Sequence, residues 1–261
     1  MRRITAQRSA RALRWGLALW LASSWGCATI LGIRAYDQPE TRTLVAALDD
    51  RPAPMAFKGI GALRIFADGR RQTLRLAWVA VRPGKLRIEL LTPGGPAVKF
   101  ATDGEWIYVL SPADGERHVG RDPRPDFGDL LPVPVTVRDL IALMAGRVPL
   151  GSFDRAESAP ADDGIHLIAG RRGRPVSEAW LAVDHHRLRR LERFGPSGEL
   201  IYRCEPDQYT AVEGHRIPFV LRFTTADARK RMTLRVERFW PETAVSPETF
   251  VIGPAPDGTS R

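Results

Sequence analysis

The sequence predicts a mainly β domain of the α+β type, an antiparallel series of hairpins covered on one face by two short helices. Three observations predict it. Apolar and polar residues alternate with period two through most of the chain from Phe57 onward. Asp-Gly and related turn pairs punctuate those segments at short spacing. Only two stretches, around Leu44 and around Leu140, repeat with helical spacing. The 261 residues are 44% hydrophobic and 26% charged, an ordinary globular balance that excludes a largely disordered chain.

The N-terminus sets the compartment. Met1 to Arg14 is basic and free of acids, Trp15 to Ala22 is a short apolar run, and Ser23-Ser24-Trp25-Gly26-Cys27 follows. This is the order of an export signal. Its end resembles the lipobox of a bacterial lipoprotein, in which cleavage after Gly26 leaves Cys27 as an acylated first residue, although Ser24 and Trp25 depart from the usual lipobox side chains. The expectation is a signal peptide over 1–26 and a linker over 27–39. Two other readings of the same residues stay open. The uncharged stretch Trp15–Ile33 is 19 residues, long enough to span a bilayer uncut, and an ordinary export signal would release a soluble protein. All three leave Ala28 onward outside the cytoplasm, because the basic flank stays inside.

The formal charge is +9, but residues 1–26 hold five arginines and no acid, which leaves 34 cations against 30 acids in the remainder. So small an excess over so long a chain does not make a nucleic-acid site, which needs clustered cations. Only Lys58, Lys85, Lys99 and Lys230 are lysines, a compositional bias toward arginine. Two cysteines, Cys27 and Cys204, make neither a disulfide scaffold nor a complete zinc site. With Cys27 acylated, Cys204 reads as a small buried hydrophobe in a strand.

Along the chain, Leu44, Val45 and Leu48 fall on one face of a helix over Glu40–Leu48. The period then becomes two: Leu74, Leu76 and Trp78, then Leu86, Ile88 and Leu90, alternate with polar or small neighbours. Val98 and Phe100, then Trp106, Tyr108 and Leu110, continue the pattern. There is no asparagine, so the turns fall to Asp68-Gly69, Asp103-Gly104, Asp114-Gly115 and Asp163-Gly164, with Pro83-Gly84 and Ser197-Gly198 between other strands. A second helix runs over Val137–Ala145, capped by Thr136 and ended by Gly146, with Val137, Leu140, Ile141 and Met144 as its stripe. Strands follow over 165–169, 177–184, 188–194, 200–209, 217–225 and 232–239. Composition and strand spacing do not break between the halves, so one domain over 40–252 is expected, with a loose tail at 253–261.

No enzyme motif emerges. His185-His186 point apart on an extended chain and read as a turn after Asp184. His118, His166 and His215 lack the local spacing of a metal site. Gly59-Ile60-Gly61 meets Arg64 where a dinucleotide fingerprint needs its third glycine, and no G-x-S-x-G elbow occurs. Asp122, Asp126 and Asp129 read as solvated loop acids, and Gly170-Arg171-Arg172-Gly173-Arg174 as a basic hairpin tip. No cofactor and no metal are expected.

Together, Phe57–Ile65, the strand ending at Trp78, the strand Lys85–Leu91, the turn Thr92-Pro93-Gly94-Gly95-Pro96 and Leu131-Pro132-Val133-Pro134 before a helix ending in Ala145-Gly146 resemble the LolA/LolB superfamily. Its members are periplasmic lipoprotein carriers and their outer-membrane receptor, and the likeness covers roughly residues 57–250. The resemblance implies an incompletely closed antiparallel barrel with short helices over an apolar cavity. It also implies binding of the acyl chains of lipids or lipoproteins during envelope biogenesis, with a periplasmic lipoprotein carrier as a protein partner and a monomeric chain. Ala28 stands where the family's inner-membrane retention signal has Asp, which implies an outer-membrane location facing the periplasm. Gly94-Gly95 replace the protruding leucine of the receptor branch, which weakens the inference of delivery to a membrane. On the sheet, Leu63, Ile65, Leu76, Trp78 and Leu90, with Trp106 and Tyr108, are the expected lining; Leu140, Ile141 and Met144 are the expected cover. Such a cavity needs no polar recognition, since about 15 methylenes at roughly 0.8 kcal/mol each gain on the order of 12 kcal/mol. An interior filled by its own side chains would instead make an anchored structural or sensor subunit of an envelope complex.

Overall fold

The computed structural model describes residues 34–92, 95–111, 116–122, 127 and 130–253. The expected signal peptide and Cys27 lie outside the described residues, as do Gly94, Asp114-Gly115, Asp126, Asp129 and residues 254–261 of the tail. The described chain forms β1 (Ala35–Tyr36), α1 (Pro39–Asp49), β2 (Ala56–Ala67), β3 (Arg70–Val81), β4 (Lys85–Thr92), β5 (Gly95–Thr102), β6 (Trp106–Ser111) and β7 (Glu116–Arg121). Then come α2 (Val137–Met144), β8 (Arg155–Ala161), β9 (Gly164–Arg171), β10 (Arg174–Ala182), β11 (Leu188–Phe194), β12 (Leu200–Val212), β13 (His215–Thr225) and β14 (Arg231–Pro241).

All fourteen strands belong to one sheet. Strands β2–β7 and β8–β14 are each a meander of neighbours, and β14 pairs antiparallel with β2, so the last strand joins the two halves. β7 and β1 are the free edges, so the barrel does not close. Among the described strands the one parallel pairing is β1 with β8, over two residues.

The turn chemistry accounts for the meander. Asp68 and Gly69 both adopt positive φ, 51° and 73°, the geometry that matches the twist of a two-residue hairpin. Arg172-Gly173 and Glu213-Gly214 do the same between β9 and β10 and between β12 and β13; the glycine is the common element. Helix α1 buries Thr41, Leu44, Val45 and Leu48, and the Thr41 and Ser158 hydroxyls, 2.5 Å apart, tie it to β8. Helix α2 starts at Thr136, whose hydroxyl accepts from the Asp139 amide at 3.1 Å. It ends where the Gly146 amide donates to Leu143 O and the Arg147 amide to Ala142 O, a Schellman cap with Gly146 at φ 75°. Almost all of α2 is buried, Leu143 and Asp139 as well as the expected stripe. Cys204 is a free, fully buried thiol on β12, as expected.

Besides the two-residue β1, two strands escaped the sequence pattern. β7 (Glu-Arg-His-Val-Gly-Arg) is an edge, and β8 (Arg-Ala-Glu-Ser-Ala-Pro-Ala) is covered on its outer side only by the two residues of β1. Neither buries a continuous face, so neither carries an apolar alternation, and Pro160 is tolerated where a strand lies at an edge.

Candidate functional site

The concave face of β2–β5 and β14 meets α2 around an apolar cavity. Sheet residues Leu63, Leu76, Trp78 and Leu90 line it, and α2 contributes Leu140 and Met144. These six were expected from the sequence. Ile88, Val98 and Phe100 add to the sheet side, Met232 and Leu234 come from β14, and Phe127, Leu130 and Leu131 come from the segment leading into α2. Every lining side chain is hydrocarbon, thioether or aromatic, and only Trp78 carries an N–H. The Trp78 indole lies flat across Gly59, where a Cβ would overlap the ring. This is the structural use of Gly59, a residue whose Gly-Ile-Gly context led to no cofactor site.

Four expected lining residues lie elsewhere. Ile141 is fully buried in the core, and Ile65, on the same side of β2 as Leu63, packs against the core toward the β2–β3 hairpin without lining the cavity. Trp106 and Tyr108 face the other side of the sheet, where Tyr108 packs with Ala101 and Ile252 in a separate cluster. Ile107 and Val109 take the core side instead. The cause is the run Trp-Ile-Tyr-Val-Leu, which is apolar at both parities, so its sequence does not say which face is inward, and a one-residue error exchanges the two.

The free space in the cavity is about 40 Å³, roughly three times the minimum that holds one water. It is a slot narrowed by its own side chains. Met144 and Met232 face it from opposite sides, and both are unbranched, polarizable side chains that re-pack at low cost.

A buried polar clasp holds α2 against the sheet. The Asp139 carboxylate accepts from Arg193 Nε at 3.0 Å and from a terminal guanidinium nitrogen at 2.8 Å, and from Tyr202 Oη at 2.8 Å. Arg193 also donates to Pro149 O at 2.6 Å, and Ser177 Oγ donates to Leu150 O at 2.8 Å. Burial is the largest influence on Arg193 and would lower its pKa; the charges and hydrogen bonds of Asp139 and Tyr202 together outweigh it and raise it. Burial, then Asp139, push Tyr202 well above the usual phenol value. Sequence reading passed over this trio. The available signal was a charge at an inward position of an alternating strand, Arg193 two residues after Leu191, together with an acid in the first turn of a helix whose other charge is Arg138.

The remaining chemistry-bearing residues are dispersed. His166 Nε2 lies 3.0 Å from Glu178 and its ring stacks on Trp180 at 4.4 Å on the outer face. There Arg190 and Arg203 both pair with Glu192. Burial raises the Glu192 carboxyl, but those two hydrogen bonds outweigh it and hold it below the ordinary value of 4.5. His186 belongs to a short 3-10 turn over Asp184–His186, and His215 lies 3.5 Å from Glu242. Among the described residues no three His, Cys, Asp or Glu side chains are grouped as a metal site. No helix among them is long and apolar enough to cross a membrane.

Solved structures with the same open sheet and overlying helices decide the fold. A LolA superfamily protein from Nitrosomonas europaea superposes with a TM-score of 0.59 at 13% identity, covering 81% of this chain and 97% of its own. The chain has the LolA-like fold. A putative outer membrane lipoprotein-sorting protein domain from Vibrio parahaemolyticus matches this LolA-like chain with a TM-score of 0.55 at 14% identity, covering 81% and 94%. A DUF1329 family protein from Desulfovibrio piger gives 0.59 at 10%, covering 81% and 96%. No protein-family model matches the sequence, and no curated protein matches it significantly.

Proposed function

We propose that this protein is a noncatalytic envelope lipoprotein that binds a single apolar chain, the acyl chain of a lipid or of a lipoprotein, in the slot between β2–β5, β14 and α2. The observation that carries this reading is the lining itself: fourteen side chains from six elements and the segment before α2 converge without an ionisable group among them. An apolar chain is the ligand class such a wall favours, since burial of each methylene contributes roughly 0.8 kcal/mol and no polar partner is needed. The Gly26-Cys27 step supports acylation at Cys27 and attachment to the outer membrane facing the periplasm. The fold shared with a lipoprotein-sorting protein domain supports a place in lipoprotein or lipid handling, with a periplasmic carrier as the protein that would meet it.

The narrowness of the slot favours a second reading, in which the interior stays self-filled and the protein is an anchored structural or sensor subunit. One experiment separates them. Native mass spectrometry of the chain gently extracted from its envelope reads the N-terminal mass and any retained lipid, and uptake of a fluorescent fatty acid is measured alongside. Leu140→Arg, which sets a charge into the lining, should reduce uptake at least tenfold while the β-sheet circular dichroism is kept. Absence of lipid in the native complex together with equal uptake by Leu140→Arg would assign the second reading.

A further inference from the structure

The outer face of the β14–β2–β3 end carries a trough that the cavity does not use. Two cross-strand rows build it: Arg231, Phe66 and Arg71 lie side by side, as do Thr233, Arg64 and Thr73. They enclose an open trough of about 530 Å³. Arg231 stacks on Phe66 at 4.7 Å, yet none of the three guanidiniums has an ion pair among the described residues. Farther along the same face Arg75 pairs with Glu237 at 2.6 Å and Arg222 with Asp207 at 3.0 Å, while Arg235 donates to the Gln208 side-chain carbonyl at 3.3 Å. Like charges on adjacent strands repel, so three unpaired guanidiniums in one trough are a standing cost that an anion would relieve.

The trough continues onto a basic rim. The β13–β14 turn adds Lys230 and Arg229, the latter 3.9 Å from Asp227; the β2–β3 turn adds Arg70 beside Asp68; and the β9–β10 hairpin at the same end adds Arg171, Arg172 and Arg174. Three of the carboxylates at this end, Asp154, Glu199 and Asp227, accept backbone amides. The opposite end of the barrel is mixed: its turns carry Asp103, Glu105, Asp162, Asp163, Asp184 and Glu213 beside Arg82, Lys85, Arg187 and Arg216, with Arg51, Arg121 and Arg138 against them. The chain also enters at the basic end, because the Ala35 amide donates to Asp154 O at 2.7 Å and the Arg172 amide to Asp154 Oδ2 at 3.0 Å. Cys27 is seven residues before Arg34, a reach of at most about 25 Å.

We infer that the Arg64–Arg71–Arg231 trough and its basic rim dock on the phosphate surface of an anionic phospholipid bilayer, so that the barrel stands on the membrane by this end. The spread of cations over several turns fits a planar surface, and Phe66 among them fits the interface. The inference rests, for its geometry, on the proposed acylation of Cys27.

The test uses the full chain extracted from its envelope and reconstituted on phosphatidylcholine vesicles, with or without 30% phosphatidylglycerol. Amide exchange is read by mass spectrometry, and the intact mass reports acylation. Each cation near such a surface strengthens its attraction about fivefold, so exchange over residues 66–72 and 226–232 should slow at least fivefold on the anionic vesicles. The turns at Gly84 and Gly214 should not change. Arg64→Gln/Arg71→Gln/Arg231→Gln should lose the protection, and the corresponding triple lysine variant should keep it. Equal exchange on the two vesicles, or protection at the opposite end, would overturn docking. So would equal protection on neutral vesicles by inorganic phosphate, which would mark a small-anion site, or by polyglutamate, which would mark an acidic protein. Protection without an acyl mass leaves docking standing and removes the acylation reading; an acyl mass without protection removes docking alone.

Discussion

Asp139→Ala should be among the most damaging single substitutions in the protein, because it removes the acceptor at the centre of the α2 clasp. Three hydrogen bonds to one carboxylate are lost, two from Arg193 and one from Tyr202. Arg193 keeps the Pro149 and Leu150 carbonyls but no longer has a compensating charge, and the Tyr202 hydroxyl loses its acceptor. Breaking a buried pair from one side costs about 3–5 kcal/mol. At about 2–4 °C per kcal/mol for a chain near this size, the melting temperature should fall by roughly 6–20 °C. Urea unfolding followed by circular dichroism measures the change directly. The triple variant Asp139→Leu/Arg193→Met/Tyr202→Phe removes all three polar groups together and should return to within about 2 kcal/mol of the parent, since well-packed apolar replacements of buried pairs are often neutral. A loss below about 1 kcal/mol for Asp139→Ala would refute the clasp as the element that fixes α2.

Gly59→Ala should cost about 1–3 kcal/mol by forcing the Trp78 ring off the sheet, and its tryptophan emission should shift; unchanged stability would mean that the ring moves freely. Stability should also fall on both sides of a plateau in pH. Cys204 and Tyr202 have folded pKa values raised by burial, so their contribution is complete below the unfolded values and is lost as pH rises. The loss begins near pH 9 at about 1.4 kcal/mol per unit from the thiol and steepens above pH 10; Cys204→Ala should move its onset up by about one unit. Glu192, held low by Arg190 and Arg203, contributes above pH 4.5 and is lost as pH falls through its folded value. Chemical denaturation between pH 3 and pH 11 reads both limbs. Met144→Ile with Met232→Ile stiffens both faces of the slot at nearly constant volume, so fatty-acid uptake should drop severalfold while stability changes by less than about 1.5 kcal/mol per site.

Much of the fold was legible because its signals are local. The period-two strands, the Gly-terminated turns and the Thr136 and Gly146 caps each follow from a few neighbouring residues, and the open LolA-like topology followed from their order. What was not legible depended on partners distant in sequence. The face of β6 is decided by β5 and β7, since Trp106 to Leu110 is apolar throughout. The strands β7 and β8 carry no apolar alternation, and their pairing with β6 and β9 makes them strands. The clasp joins residues 54 and 63 positions apart, and nothing near Asp139 announces Arg193. Six of the ten expected cavity residues do line it, four because alternation within β2, β3 and β4 is clean and Leu140 and Met144 because they share one face of α2; β14, which supplies Met232 and Leu234, reaches the site only through its pairing with β2 across the whole chain.

The size of the slot follows from the same forces that would load it. An unfilled apolar void costs about 24 cal/mol per Å³, so a cavity wide enough for a whole acyl chain would be destabilising while empty, and flexible side chains close it down. A lipid-binding barrel of the proposed kind therefore needs two properties at once: a rigid frame, so that closure does not become collapse, and a soft lining, so that closure can be reversed. The buried Asp139–Arg193–Tyr202 clasp gives α2 the first. Met144 from α2 and Met232 from β14, both lining the free space of about 40 Å³, give the second, and on the proposed reading the gain from each buried ligand methylene would supply the free energy of opening. Met144 and Met232 are the two unbranched aliphatic side chains among the fourteen that line the slot, so on the proposed lipid-binding reading they are the residues whose re-packing would open it.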